Sequence, residues 1–375
     1  MSKGATRALI VGGGIGGMAA AIALRRQGAE VELVDIDPEW KVYGAGITIT
    51  GPTLRAFRDL GLFEAIQREG FFSVGGHMFL YDGTLLSKTV TPPIEPGLPA
   101  SGGIMRPKLH QIMSSAVRNA GAKVRLGVTV GRLEQDEDGA EVELSDGSAG
   151  RFDLIVGADG IYSDLRAKLF ESPVAPVYTG QMSWRVVAPR PPEMDVAHFF
   201  FGHKYVGGIN PCSQGEVYAF ILHREPEPRR IPDGEKAAFL RDLMADFGGS
   251  MAVVRDGLGP HSSIVQRPFE YAIQPRPWHK GRVVLIGDAA HATTPHLASG
   301  AGMAVEDALV LAEELDRAGG DVPAALEAFT GRRYDRCKFI VDSSVGIAAR
   351  QLEGAPAEEI GMRMGQAMGK LAEPI

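Results

Sequence analysis

Three acidic, glycine-containing clusters, far apart along the chain, hold the residues best suited to chemistry. The first is Gly12-Gly13-Gly14-Ile15-Gly16-Gly17. It follows the apolar run Arg7 to Val11, precedes the alanine-rich stretch Met18 to Gln27, and is answered by Val31-Glu32-Leu33-Val34-Asp35. An isolated GxGxxG is weak evidence, but a strand before it, a helix after it and an acid 18 positions past Gly17 (35 minus 17) are the context of a dinucleotide site. Gly12 permits the tight turn, Gly14 lets the backbone approach a pyrophosphate, and Gly17 allows close helix packing. Ile15 and Gly16 open the helix whose free amides favour phosphate, and Asp35 suits a ribose hydroxyl. Taken alone, this opening leaves NAD and FAD undecided.

The second cluster runs Asp153-Leu154-Ile155-Val156-Gly157-Ala158-Asp159-Gly160-Ile161-Tyr162-Ser163-Asp164-Leu165-Arg166. The third is Val284-Leu285-Ile286-Gly287-Asp288-Ala289-Ala290-His291, followed by Pro295 and Gly300-Ala301-Gly302. In this order the three resemble the motifs of the single-component FAD-dependent aromatic hydroxylases, the family of p-hydroxybenzoate hydroxylase, near its salicylate, urate and 6-hydroxynicotinate hydroxylase branch. The resemblance covers roughly residues 5 to 345.

That resemblance implies one FAD held by all three clusters. Asp288 would hydrogen-bond the ribityl chain, and the helix opened by Gly300, Ala301 and Gly302 would aim its N-terminal amides at the flavin edge that becomes anionic on reduction. Arg106 would reach the cofactor, Gly44, Ala45 and Gly46 would run beside the isoalloxazine, and Val130 would offer backbone contacts to adenine. Asp159 would serve both the pyrophosphate region and a transient nicotinamide donor. No second fingerprint of Rossmann type is visible, so NADH or NADPH is expected to visit and leave. Where the family commonly has Gly-Gln-Gly, this chain has Ala298-Ser299-Gly300.

The activity implied is NAD(P)H-dependent monooxygenation, with O2 as co-substrate, of a phenolic or heteroaromatic small molecule through a flavin C4a-hydroperoxide. The cofactor carries the oxygen chemistry, and the protein must position the ring, favour its anion and exclude water. Pro295 would place a carbonyl near the flavin C4a edge. Substrate contacts are expected from His203, Tyr205, Tyr218 and Arg185, with a histidine suited to accept a proton and an arginine to hold a carboxylate. Gly207 and Gly208 stand where relatives carry larger side chains, which predicts room for a bulky substrate. Thr48 replaces the histidine of the 6-hydroxynicotinate hydroxylases, so that substrate is not assigned. His291 reads as structural. The alternatives are a same-fold flavin oxidoreductase that inserts no oxygen and a flavin-binding sensor without turnover.

These residues need an α/β frame: a Rossmann-like FAD-binding domain interleaved with a smaller antiparallel-sheet substrate domain, closed by C-terminal helices. With 375 residues the chain is long enough for both. The resemblance, laid over the change of period along the chain, implies a FAD-binding domain on 1–73, 101–175 and 270–350, a substrate domain on 74–100 and 176–269, and a C-terminal helix or tail on 351–375. Asp82-Gly83 predicts a hairpin turn, and Lys123 to Gln135 reads as one strand. A net charge of -7, with only the short basic pairs Arg229-Arg230 and Arg332-Arg333, argues against a nucleic-acid partner, and both pairs read as solvated. Cys212 and Cys337 have neither disulfide nor zinc spacing, so no metal is expected. No apolar run reaches membrane-spanning length and no signal-peptide pattern opens the chain, so the expectation is a cytoplasmic monomer or homodimer with no membrane partner.

Overall fold

In the computed structural model, which describes residues 6–42, 44–202 and 205–375, the strand Arg7–Val11 lies inside a six-stranded sheet. Its order is His279–Lys280, Val283–Leu285, Leu154–Gly157, Arg7–Val11, Glu30–Asp35 and Lys123–Leu126. Every neighbouring pair is parallel except the first. Parallel strands are covered on both faces and therefore read as continuous apolar runs, as Ala8 to Val11 and Leu154 to Val156 do. Helix Ile15–Arg26 packs on these strands and is flanked by Arg106–Asn119 and Gly300–Arg317.

Above the C-terminal ends of these strands stands a seven-stranded roof. Its order is Ile264–Ile273, Val177–Pro189, Glu216–Arg224, Val206–Pro211, Ala197–Phe201, Gly75–Leu80 and Leu85–Val90. It is antiparallel but for one pair, Ala197–Phe201 beside Gly75–Leu80. The Asp82-Gly83 hairpin joins the last two strands, with Gly83 at φ +91. A smaller sheet of Gly46–Thr50, Ser101–Met105 and Phe71–Ser73 stands between roof and cofactor frame.

The reading of Lys123 to Gln135 as one strand is corrected. Gly127, at φ +76, turns the chain out of the parallel sheet, and Val130–Gln135 pairs instead with Ala140–Leu144. The C-terminal segment forms the helix Ala357–Ala372. Buried Ile360, Ala367 and Leu371 anchor it, and Arg55 and Arg336 donate to the carbonyl oxygens of residues 370–373, which the helix end leaves without partners. No helix among the described residues is long and apolar enough to cross a membrane.

Candidate active site

The first glycine cluster folds as a turn because larger side chains would collide. A Cβ on Gly17 would lie 1.9 Å from the Gly12 carbonyl oxygen, and one on Gly12 would lie 2.3 Å from that of Ala158. Gly14 is different: a Cβ there would meet no protein atom within 4 Å. It borders a chamber of about 720 Å³ between the parallel sheet and the roof, as do Ile15 and Gly16.

Arg106, Gly46, Asp288, Pro295, Gly300 and Ala301 reach the same chamber from below, and Arg185 and Tyr218 from the roof. Strand register explains the last pair. Arg185 lies opposite Phe220 and Val187 opposite Tyr218, and residues directly opposite share a sheet face. The alternate residues Trp184, Val186, Val217, Ala219 and Ile221 face the roof's own core. Gly46 must be small, since a Cβ would approach Tyr218 Cδ1 to 2.3 Å and Cys212 Sγ to 2.4 Å.

The chamber holds charges without partners. The Nε of Arg106 has no hydrogen bond, and burial, reinforced by nearby Arg185, brings its guanidinium down to about 10. Arg185 makes no ion pair or hydrogen bond among the described residues, and burial pulls its pKa down as well. The Asp288 carboxyl projects into the chamber, where its surroundings push its pKa up through loss of bulk solvent, against the pull of His291 and Arg106. His110, one helical turn beyond Arg106, also lines the chamber with its Nε2 unpartnered. An open glycine cradle at a helix start beside an unsatisfied arginine suits a diphosphate, and the residues present therefore fit FAD.

A match to the FAD-binding domain model spans residues 5–344, most of the chain. The chain belongs to this FAD-binding family. It is 33% identical over 349 residues to the aurachin C monooxygenase/isomerase of Stigmatella aurantiaca, covering 90% of this chain and 88% of that protein. It is likewise 33% identical over 310 residues to the 2-heptyl-3-hydroxy-4(1H)-quinolone synthase of Pseudomonas aeruginosa, covering 81% and 79%. Its fold matches that of Klebsiella pneumoniae HpxO complexed with FAD and uric acid, with a TM-score of 0.87, 24% identity and coverage of 98% and 97%. It is thus a flavoprotein of the monooxygenase class with FAD as cofactor.

Other residues expected at a family site lie at or beyond the chamber's edge. The Asp35 carboxylate turns back to the glycine turn, accepting from Gly13 N–H at 2.5 Å and Asp37 N–H at 2.7 Å. Trp40, which donates from its indole to the Gly13 carbonyl oxygen at 2.9 Å, covers that turn and carried no sequence signal. Asp159 accepts from Ser163 Oγ at 2.5 Å and from Leu165 N–H at 3.0 Å, so it braces the start of the helix Asp164–Leu169 while its neighbours Ala158 and Gly160 line the chamber. Gly44 and Ala45 support Arg106: Ala45 O accepts from Arg106 N–H at 3.0 Å, and a Cβ on Gly44 would meet Arg106 Cδ at 2.7 Å. Gly302 packs on Thr53, and Val130 is buried in the main core.

Three expectations need correction. Tyr205 packs against the roof's own core, with its ring 6.2 Å from that of His223, and does not line the chamber. Gly207 and Gly208 open no space, because Ile221, Met251 and the Phe220 ring fill it. Arg333 is not solvated but fully buried. His203 lies outside the described residues.

The family's Gly-Gln-Gly departure also has a structural counterpart. Ala298 adopts φ +48, the left-handed region that favours glycine.

Proposed function

We propose that this enzyme is an NAD(P)H-using monooxygenase that hydroxylates a phenolic or heteroaromatic small molecule bound as its anion. The observation that carries the reading is the meeting of unpaired Arg185 and Arg106 with Tyr218 in one chamber. A half-buried guanidinium without a partner favours a ligand anion that meets it, by about 1.5–3 kcal/mol for a charge-assisted contact. The quinolone named for one relative and the uric acid bound to HpxO are both heteroaromatic, in keeping with this class.

Bound FAD supplies the redox chemistry and the activation of oxygen. Gly14, Ile15 and Gly16 would cradle its diphosphate, Arg106 would neutralise it, Asp288 would hold the ribityl chain, and the helix start at Gly300 and Ala301 would favour the charge of the reduced ring. Arg185 holds the substrate's negative charge. Its positive field lowers the pKa of a phenolic or enolic proton, so the ring arrives electron-rich. Tyr218 keeps its proton, because burial raises the phenol's pKa, and therefore orients the ring by hydrogen bonding and not as a base. Pro295 lies on the chamber wall.

The test is a screen of hydroxylated aromatic and heteroaromatic acids for ligand-stimulated NADH or NADPH consumption by the FAD-loaded protein, with product mass measured. Stimulated consumption with one oxygen added supports the reading. Turnover without added oxygen would replace it with a same-fold oxidoreductase, and ligand binding without turnover would replace it with a sensor.

A further inference from the structure

Beneath the chamber lies a buried polar cluster that the proposed chemistry does not use. Asp307, on the helix Gly300–Arg317, is fully buried. Its Oδ2 accepts two hydrogen bonds, one from His291 Nε2 at 2.6 Å and one from Gly287 N–H at 2.9 Å. Gly287 and His291 are the residues at the two ends of the single helical turn that carries Asp288. One carboxylate oxygen therefore clasps both ends of that turn.

The other oxygen is fixed as well. Arg333 Nε donates to Asp307 Oδ1 at 2.8 Å, and the same guanidinium pairs with Glu306 at 2.8 Å. Glu306 in turn accepts two bonds from Arg336, both at 3.0 Å. The ligand atoms of His291, Asp307 and Cys337 lie within 4.8 Å of one another, a set that would suit a metal ion. Arg333 already takes Asp307 Oδ1 and donates to Cys337 Sγ at 3.4 Å, so the cation of this cluster is the arginine.

Burying such groups is expensive, and well-packed apolar side chains of similar volume are often as stable or more so. What an apolar replacement cannot supply is direction. The Gly287 backbone stands at φ +57 and ψ -141, and Asp307 is the acceptor for its N–H.

We propose that Asp307 and His291 are positioning residues for cofactor binding, clasping the Gly287–His291 turn so that Asp288 faces the chamber. The inference rests on the reading of Asp288 as a ribityl ligand. Four variants test it: His291→Leu, His291→Gln, His291→Asn and Asp288→Ala. For each, FAD affinity, the visible circular dichroism of the bound flavin and thermal unfolding are measured.

His291→Leu removes the bond to Asp307, and FAD affinity should fall roughly ten- to a hundredfold with an altered flavin dichroism. His291→Gln keeps an amide that reaches Asp307, and both readouts should return close to wild type. If the leucine variant does not fold, glutamine against asparagine makes the same comparison, since the shorter amide falls short of the carboxylate. Wild-type affinity and dichroism in His291→Leu, or glutamine no better than asparagine or leucine, would overturn the proposal. Asp288→Ala separates the two readings. If it binds FAD as tightly as wild type, the ligand role of Asp288 fails and this inference falls with it. If it binds weakly while His291→Leu binds normally, only the positioning role fails.

Discussion

The Tyr218 hydroxyl lies 2.6 Å from Thr48 Oγ1, so a roof strand is tied directly to the strand that borders the chamber on the cofactor side. Asn210 Nδ2 donates to the same hydroxyl at 3.1 Å. With Asn210 already donating, the phenolic proton is free to point to Thr48 or to a ligand. The tie fixes Tyr218 over the chamber, and its raised pKa keeps that proton in place.

Tyr218→Phe is therefore expected to lower coupled hydroxylation by roughly tenfold, the value of one hydrogen bond at the reacting ring, while FAD content stays unchanged. Peroxide release should rise, because a poorly oriented ring leaves activated oxygen unused. The acidic limb of the rate profile should not move, since a phenol with a raised pKa does not titrate there. A shifted acidic limb would show that Tyr218 exchanges its proton during turnover.

Arg185→Gln should separate stability from function. The wild-type guanidinium is half-buried and has no partner among the described residues, so its removal should leave the substrate-free protein about as stable as before. Substrate KM should rise roughly ten- to a hundredfold, the loss of one charge-assisted contact. Thermal unfolding and steady-state kinetics on the same preparation check both. A strongly destabilised variant with normal KM would give Arg185 a purely structural role.

The glycine cradle can be tested without disturbing the fold. Gly14→Ala places its Cβ where no protein atom lies within 4 Å, so the FAD-free protein should unfold as wild type does. FAD affinity should drop about tenfold or more, because the methyl group enters space reserved for the diphosphate. Gly17→Ala is the contrast, since its Cβ would meet the Gly12 carbonyl oxygen and the turn itself must shift. Equilibrium FAD binding and unfolding of both variants give the comparison.

Asp288 sets a pH dependence whose sign follows from its raised pKa. A carboxyl that holds its proton more tightly when folded adds stability below its unfolded value of 3.8 and loses it as pH rises through the folded pKa. At neutral pH, ionised Asp288 therefore costs the FAD-free protein stability. Asp288→Asn should be the more stable of the two at neutral pH, and the gap should close as pH falls into the carboxylate range. Denaturant unfolding of both proteins across that range measures it. A gap that widens on acidification would mean that the folded pKa lies below the ordinary value.

The cofactor frame was legible in the sequence because its constraints are local. A glycine turn between strand and helix, and Asp288 three residues past the buried strand Val283–Leu285, follow from backbone geometry over a few residues. Arg185 and Tyr218 were found as candidates, but their common face needed the register of two strands that lie 33 residues apart in sequence (218 minus 185). Residue type gives no alternation there, since Val217 to Leu222 are apolar or aromatic without a break. Tyr205 failed for a related reason: residue type says nothing about which side of the roof it packs on. The Asp307 and Arg333 cluster left no trace, because an acid and an arginine on separate helices look like surface charges until the helices meet. Gly207 and Gly208 misled because a missing side chain can make room for a neighbour as well as for a ligand.

The most direct measurement of the central claim is the origin of the oxygen in the product. The FAD-loaded enzyme, supplied with NADH or NADPH and the aromatic ligand that stimulates turnover, is run under 18O2 and the product is analysed by mass spectrometry. One labelled oxygen from O2 is the predicted result. A product labelled only from H2(18)O, or turnover with no oxygen gained, would contradict it.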